Sequence, residues 1–187
     1  SRPSMIAPTM TEPNPRVAVP AKQRIRQAFD QAASTYDAAA DVQREVCDRL
    51  GTYLTESGIN LAPAAILDAG CGTGYGVRWL AQRWLQARLV LIDFAPGMLA
   101  TARARCVGAE LICADIEALP VRERSFDLYW SSLAWQWNNP WRCLAESKRV
   151  LKPGGALAVA TLGANNFPEL RQAFAEVDDY SHVLTIP

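Results

Sequence analysis

The chain is predicted to fold as an α/β protein with a doubly wound, mostly parallel sheet, and three features of its sequence predict this. From Ala64 onward, short apolar runs alternate with amphipathic segments; several of those segments open on proline; and a glycine cluster directly follows the first run. Such alternation winds a parallel sheet, because each parallel strand needs a crossover to bring the chain back to the same end. The apolar runs place candidate strands at 64–69, 88–93, 109–114, 126–131 and 156–162. Helices are expected to begin near Gly74, Pro96, Pro140 and Pro168. Proline suits a first helical turn, where its missing N–H would have no partner anyway. Lys152-Pro153-Gly154-Gly155 reads as a helix stop and a turn into the last strand.

Residues 1–20 hold five prolines and little apolar periodicity, so they are expected to form a disordered arm ahead of a folded domain over 21–187. Ile25 and Phe29 fall at helical spacing within 21–33. A second helix is expected from about Ala38 to Glu56, with Val42, Val46, Leu50 and Leu54 as its apolar stripe. Ser34, Thr35, Tyr36 and Asp37 join the two helices and offer caps.

Composition narrows the function. The chain has 187 residues, half of them apolar, which is enough for one core. Its 19 basic and 19 acidic residues cancel, which argues against a nucleic-acid binder that must neutralise phosphates. No apolar run has the ~20 residues needed to span a bilayer, and no secretory signal opens the chain, so a cytoplasmic location is expected. Five scattered cysteines without a C-x-x-C pair favour free thiols over a zinc site. With His182 as the single histidine, most hydrolase and metalloenzyme chemistries drop out, and no metal is expected.

The most informative segment is Ile66-Leu67-Asp68-Ala69-Gly70-Cys71-Gly72-Thr73-Gly74. Glycines at alternate positions let the backbone turn tightly and approach a ligand, and the following helix offers free N–H groups. A dinucleotide loop would read G-x-G-x-x-G and a P-loop would end in G-K-[ST]; neither is present. Asp68, two residues before the first glycine, would repel a phosphate and attract a cationic amine. Asp93 ends the second predicted strand, where a carboxylate can chelate two ribose hydroxyls. Asp115 follows the third and could accept from an adenine amino group while Ile116 packs on the ring. Each acid alone is an ordinary strand end, but three beside one glycine loop mark a binding edge.

These motifs, with Asp115-Ile116-Glu117-Ala118-Leu119-Pro120 and Leu151-Lys152-Pro153-Gly154-Gly155, resemble those of class I methyltransferases. That resemblance implies a Rossmann-like sheet and S-adenosylmethionine as cofactor. It implies a cofactor set of Asp68, Ala69, Gly70, Cys71, Gly72, Gly74, Asp93, Phe94, Met98, Asp115, Ile116, Ser131 and Tyr36. A closer likeness is carried by Ala28-Phe29-Asp30-Gln31-Ala32-Ala33-Ser34-Thr35-Tyr36-Asp37 and Ala40-Asp41-Val42-Gln43-Arg44. Ser131-Ser132-Leu133-Ala134-Trp135-Gln136-Trp137 and the stretch from Phe167-Pro168-Glu169-Leu170 to Val177-Asp178 extend it. Together they resemble the malonyl-acyl-carrier-protein O-methyltransferases of biotin synthesis, which implies a carrier protein bearing a malonyl thioester as partner. A quinone-like acceptor, or a cofactor-binding paralogue without activity, stays open. The superfamily sheet ends in an antiparallel hairpin after its fifth strand, and the chain ends at Pro187 before one is expected, as a shortened copy would.

A carboxylate acceptor is already ionised at neutral pH, so the implied chemistry needs alignment and water exclusion, with no general base to identify. Amine-acceptor relatives end the fourth strand with an Asn/Asp-Pro-Pro-aromatic tetrad, whereas this chain has Ser131-Ser132-Leu133-Ala134, which favours oxygen or carbon. Trp130 reads as core, and one of Trp135 and Trp137 as a wall for substrate or methionyl arm. Tyr36 and Phe29 are open to two roles, a lid over the cofactor or plain packing. Arg142, Lys148 and Arg149 are the candidate cations for carrier-protein docking.

Overall fold

A computed structural model of the chain describes residues 22–163. The expected arm over 1–20, the helix near Pro168, the likeness beyond Phe167 and His182 all lie outside the described residues. The elements in order are α1 (Lys22–Ala32), α2 (Asp41–Glu56), β1 (Ala65–Ala69), α3 (Tyr75–Arg83) and β2 (Arg88–Asp93). Then follow α4 (Pro96–Arg105), β3 (Glu110–Cys113), β4 (Phe126–Ser132), α5 (Pro140–Val150) and β5 (Leu151–Ala160).

All five strands pair in parallel, in the order β3-β2-β1-β4-β5. The chain winds outward from β1 through β2 to β3, then crosses to β4 on the other side. The strand order thus reverses between β1 and β4, and the crevice at the carboxyl ends of those strands is where open sheets bind ligands.

Alternation along the strands feeds two cores. Leu67, Ala69, Val90, Ile92 and Tyr129 pack with Cys143 and Val150 of α5 on one face. Ile66, Leu128 and Trp130 pack with Leu80 of α3 and Cys47 and Leu54 of α2 on the other. Every residue of β1 is buried, as its unbroken apolar run predicts for an inner parallel strand. Each fully buried aliphatic side chain contributes roughly 1.5–3 kcal/mol.

Two elements depart from the sequence reading. Residues Tyr36–Ala39 form a 3-10 turn, so α2 begins at Asp41 rather than Ala38. Its buried face is Cys47, Gly51 and Leu54, while Val42 is 70% exposed. The expected stripe of Val42, Val46, Leu50 and Leu54 is therefore turned by one position. The cause lies at Gly51, which admits the Trp79 ring so closely that a Cβ there would stand 2.5 Å from its Cε2. The second departure is β5, which starts at Leu151 rather than Ala156. Phe126 pairs with Leu151 and Leu128 with Ala156, so residues 152–155 bulge from the ladder with Gly154 at φ +79°. The turn expected at Lys152–Gly155 thus exists as an irregularity inside the strand.

Candidate functional site

The glycine loop leaves β1 and folds back over the end of β2. Gly70 and Cys71 both donate their N–H to the Ile92 carbonyl, at 2.7 and 3.0 Å. Gly70, Gly72 and Gly74 all have positive φ, which explains why the three alternate. Their surroundings differ. A Cβ on Gly74 would meet Cys106 Sγ at 2.6 Å, so this glycine packs the loop onto α4 and does not line the cleft. A Cβ on Gly72 would meet nothing within 4 Å, because it would project into open space.

That space is a cleft of about 910 Å³, partly open to solvent, at the switch point between β1 and β4. Of the expected cofactor residues, Tyr36, Asp68, Gly70, Cys71, Gly72, Asp93, Phe94, Met98, Asp115 and Ile116 line it. Ala69 and Ser131 do not. Ala69 is core, and Ser131 is turned inward, its Oγ donating to the Ala69 carbonyl at 2.6 Å. The next residue, Ser132, faces the cleft instead, and its buried Oγ has no hydrogen-bond partner among the described residues. A strand's period of two exchanges these neighbours, and motif position alone did not set the phase.

Four carboxylates line the cleft: Asp37, Asp68, Asp93 and Asp115. Asp68 is only 3% exposed, and burial, aided by the charge of Asp93, pushes its carboxyl up to about 7. Asp93 braces the loop by accepting from Gly72 N–H and Ala95 N–H, both at 2.9 Å. Burial raises its carboxyl above the ordinary range, while the N–H groups of Ala95 and Gly72 pull it back. Asp37 accepts from Thr73 Oγ1 at 2.7 Å and pairs with Arg105.

Arg44, which the sequence reading missed, is the single cation among the described residues of the cleft. Its guanidinium donates to the Asp37 carbonyl and to Asp41, which puts it beside the glycine-loop residue Thr73. Ala40, Gln43, Arg44 and Cys47 share this cleft-facing side at spacings of three, four and seven. That polar helical spacing is present in the sequence, beside the apolar stripe that spacing alone favours.

The roof is aromatic. Phe29 lies 6.1 Å from Tyr36, 6.1 Å from Phe94 and 5.6 Å edge-on from Trp137. Asp30 fixes α1 in place by accepting from Gly97 N–H at the start of α4, at 2.7 Å. Trp135 and Trp137 sit on a 3-10 turn, not a loop, and part ways: Trp137 lines the cleft while Trp135 packs against Tyr129. Trp130 is core, stacked on Trp79 at 5.4 Å, although its ring reaches the cleft wall. Leu133, at the turn out of β4, holds φ +54° (unusual for a branched side chain).

Of the expected docking cations, Arg142 and Lys148 are exposed. Arg149 is not available. It donates to Glu146 and to the carbonyls of Leu119 and Val121, tying α5 to the loop after β3. Among the described residues no metal-binding cluster is formed, and no helix is long and apolar enough to cross a membrane.

An acid-walled cleft, a glycine cradle that a Cβ would fill and this strand order give the chain the α/β fold of class I S-adenosylmethionine-dependent methyltransferases. Residues 67–159 match the family described as a methyltransferase domain. In sequence the chain is similar to malonyl-[acyl-carrier protein] O-methyltransferases. It is 48% identical over 165 residues to that of Dechloromonas aromatica (strain RCB), covering 88% of this chain and 60% of the relative. With that of Laribacter hongkongensis (strain HLHK9) it shares 48% over 174 residues, covering 87% and 58%. The chain thus spans about three-fifths of the length of these relatives.

Solved structures share the fold. The plantazolicin methyltransferase BpumL, determined with SAH, superposes with a TM-score of 0.63 at 20% identity, covering 84% of this chain and 63% of that one. The [4+2]-cyclase SpnF also gives 0.63, at 25% identity, covering 76% and 61%. A fold that is shared with a cyclase leaves the reaction to be argued from the site.

Proposed function

We propose that the protein transfers the methyl group of S-adenosylmethionine to the free carboxylate of a malonyl thioester carried on acyl carrier protein, an early step of biotin synthesis. The observation that carries this reading is the likeness to malonyl-[acyl-carrier protein] O-methyltransferases, 48% over 165 residues. The cleft chemistry supports it, because methyl transfer to an ionised carboxylate needs no base, and no histidine or lysine lines the cleft among the described residues.

Each cleft residue has a part in this reading. Asp68 accepts from the methionyl ammonium, and the open side of Gly72 takes the methionyl backbone. Arg44, held beside Thr73, meets the methionyl carboxylate. Asp93 has lone pairs left over for the ribose hydroxyls, while Asp115 faces the adenine amino group and Ile116 and Met98 pack on the ring. When bound, the cofactor supplies an electrophilic methyl on a sulfonium. The roof of Phe29, Tyr36 and Trp137 excludes water there, and Ser132 with the Leu133 turn borders the acceptor side. A charged nucleophile stripped of water and held in line gains rate from proximity and desolvation.

The test is methyl transfer from labelled cofactor to malonyl-carrier protein, with malonyl-carrier lacking its terminal carboxylate and a quinone precursor as controls. Transfer to malonyl-carrier alone, at a rate that falls as salt screens the exposed Arg142 and Lys148, is expected. Transfer to the quinone precursor and none to the carrier would replace this reading with a small-molecule methyltransferase.

A further inference from the structure

Lys22, at the first turn of α1, lies more than ninety residues away in sequence from the acids it holds. Its ammonium donates to Asp115 Oδ1 at 2.6 Å and to Glu117 Oε1 at 2.8 Å. Asp115 Oδ1 also accepts from the Glu117 N–H at 2.9 Å, and Glu117 Oε1 accepts from the Asn139 N–H at 2.8 Å. Arg142 lies 3.6 Å from the other Glu117 oxygen. One ammonium therefore joins α1, the loop after β3 and the start of α5, next to the cleft residues Ile116, Trp137 and Asn138.

The Asp115 side chain is 38% exposed. A carboxylate that open to water would turn freely and spend its lone pairs on solvent. The adenine amino group is a neutral donor, and a neutral donor gains little from an acceptor that water already satisfies. Held by Lys22, whose ammonium lies 2.6 Å from Oδ1 and 2.5 Å from Oδ2, and by the Glu117 N–H, the carboxylate keeps one plane, so the lone pair left toward the cleft is fixed. Lys22 also separates the like charges of Asp115 and Glu117, which would otherwise drive the two carboxylates apart.

We propose that Lys22 is a positioning residue that acts through Asp115 to set the preference for a 6-amino purine in the cofactor. The inference rests on the reading that Asp115 faces the adenine amino group. It requires no new ligand, only that a contact between α1 and the third strand end makes that carboxylate selective.

The test measures binding by calorimetry of S-adenosylhomocysteine and of its inosine counterpart, in which a carbonyl replaces the 6-amino group. The protein should prefer the adenine form by about tenfold or more, as expected for losing one charge-assisted hydrogen bond and facing a carbonyl instead. Lys22→Met should weaken adenine-form binding about threefold to tenfold, the size of a partly exposed ion pair, and change inosine-form binding less than twofold. Lys22→Arg should restore most of the preference. Raising salt from about 0.05 to 0.5 M should shrink the preference of the unaltered protein toward that of Lys22→Met, a readout that needs no variant to fold. If Lys22→Met weakens both ligands equally, the lysine only tethers α1 and the inference fails while the Asp115 reading stands. If the unaltered protein does not distinguish the two ligands, the Asp115 reading falls, and the inference with it.

Discussion

Among the described residues Asp68 has no cation partner; burial, aided by the charge of Asp93, pushes its carboxyl up to about 7. A carboxyl at the ordinary 3.8 in the unfolded chain and raised in the fold contributes stability below pH 4 that is lost as pH rises through 7. In the proposed reading the methionyl ammonium reverses this preference, since it would bind the ionised form. Affinity for S-adenosylhomocysteine is therefore expected to rise up to about tenfold per pH unit below 7 and to level off above. Calorimetry from pH 5.5 to 8.5 should show this slope, with a proton released on binding near pH 6.5, and Asp68→Asn should flatten it. A flat profile in the unaltered protein would refute the role. Gly72 makes a second residue-level prediction. Any Cβ there would enter the cleft and sit on a backbone at φ +54°. Gly72→Val should therefore abolish measurable binding while the fold survives, because nothing protein-made lies within 4 Å of that position. Unchanged affinity in a folded variant would remove the loop from the cofactor site.

Among the elements, α2 connects stability to the site. One side of it buries Cys47, Gly51 and Leu54, and the adjoining side presents Gln43 and Arg44 to the cleft. Gly51 costs the helix about 0.5–1 kcal/mol relative to alanine, yet the space it leaves is taken by Trp79. That ring is stacked on Trp130 at 5.4 Å and meets Trp84 edge-on at 5.6 Å, so it has little room to retreat. Gly51→Ala is expected to destabilise by about 1–3 kcal/mol net, against its helix propensity, as overpacked cores do. Urea unfolding would measure it, and a stabilised variant would show that Trp79 moves freely. The sequence exposed the helix but not its rotation. Val42 and Val46 match an apolar stripe on spacing alone, and only the Trp79 ring in Gly51's gap selects the neighbouring face.

At the scale of the whole molecule, the strand sequence, the glycine loop and three acids at three strand ends were legible before any coordinates. Each is a local consequence of chemistry: apolar runs seek the sheet interior, glycine alone takes repeated positive φ cheaply, and parallel strands end on one edge. These determined by themselves the fold class, the sheet edge on which the cleft lies and the kind of cofactor. What only the tertiary structure decided depends on contacts distant along the chain. Ser132 rather than Ser131 faces the cleft because strand phase is set by the neighbours of β4, with Ser131 Oγ drawn to the Ala69 carbonyl. Gly74 serves packing because α4 brings Cys106 against it. Arg149 is engaged within the fold because Glu146 and two loop carbonyls claim its guanidinium. Lys22 reaches Asp115 and Glu117 only because α1 packs against α4, a meeting that no spacing along the chain encodes.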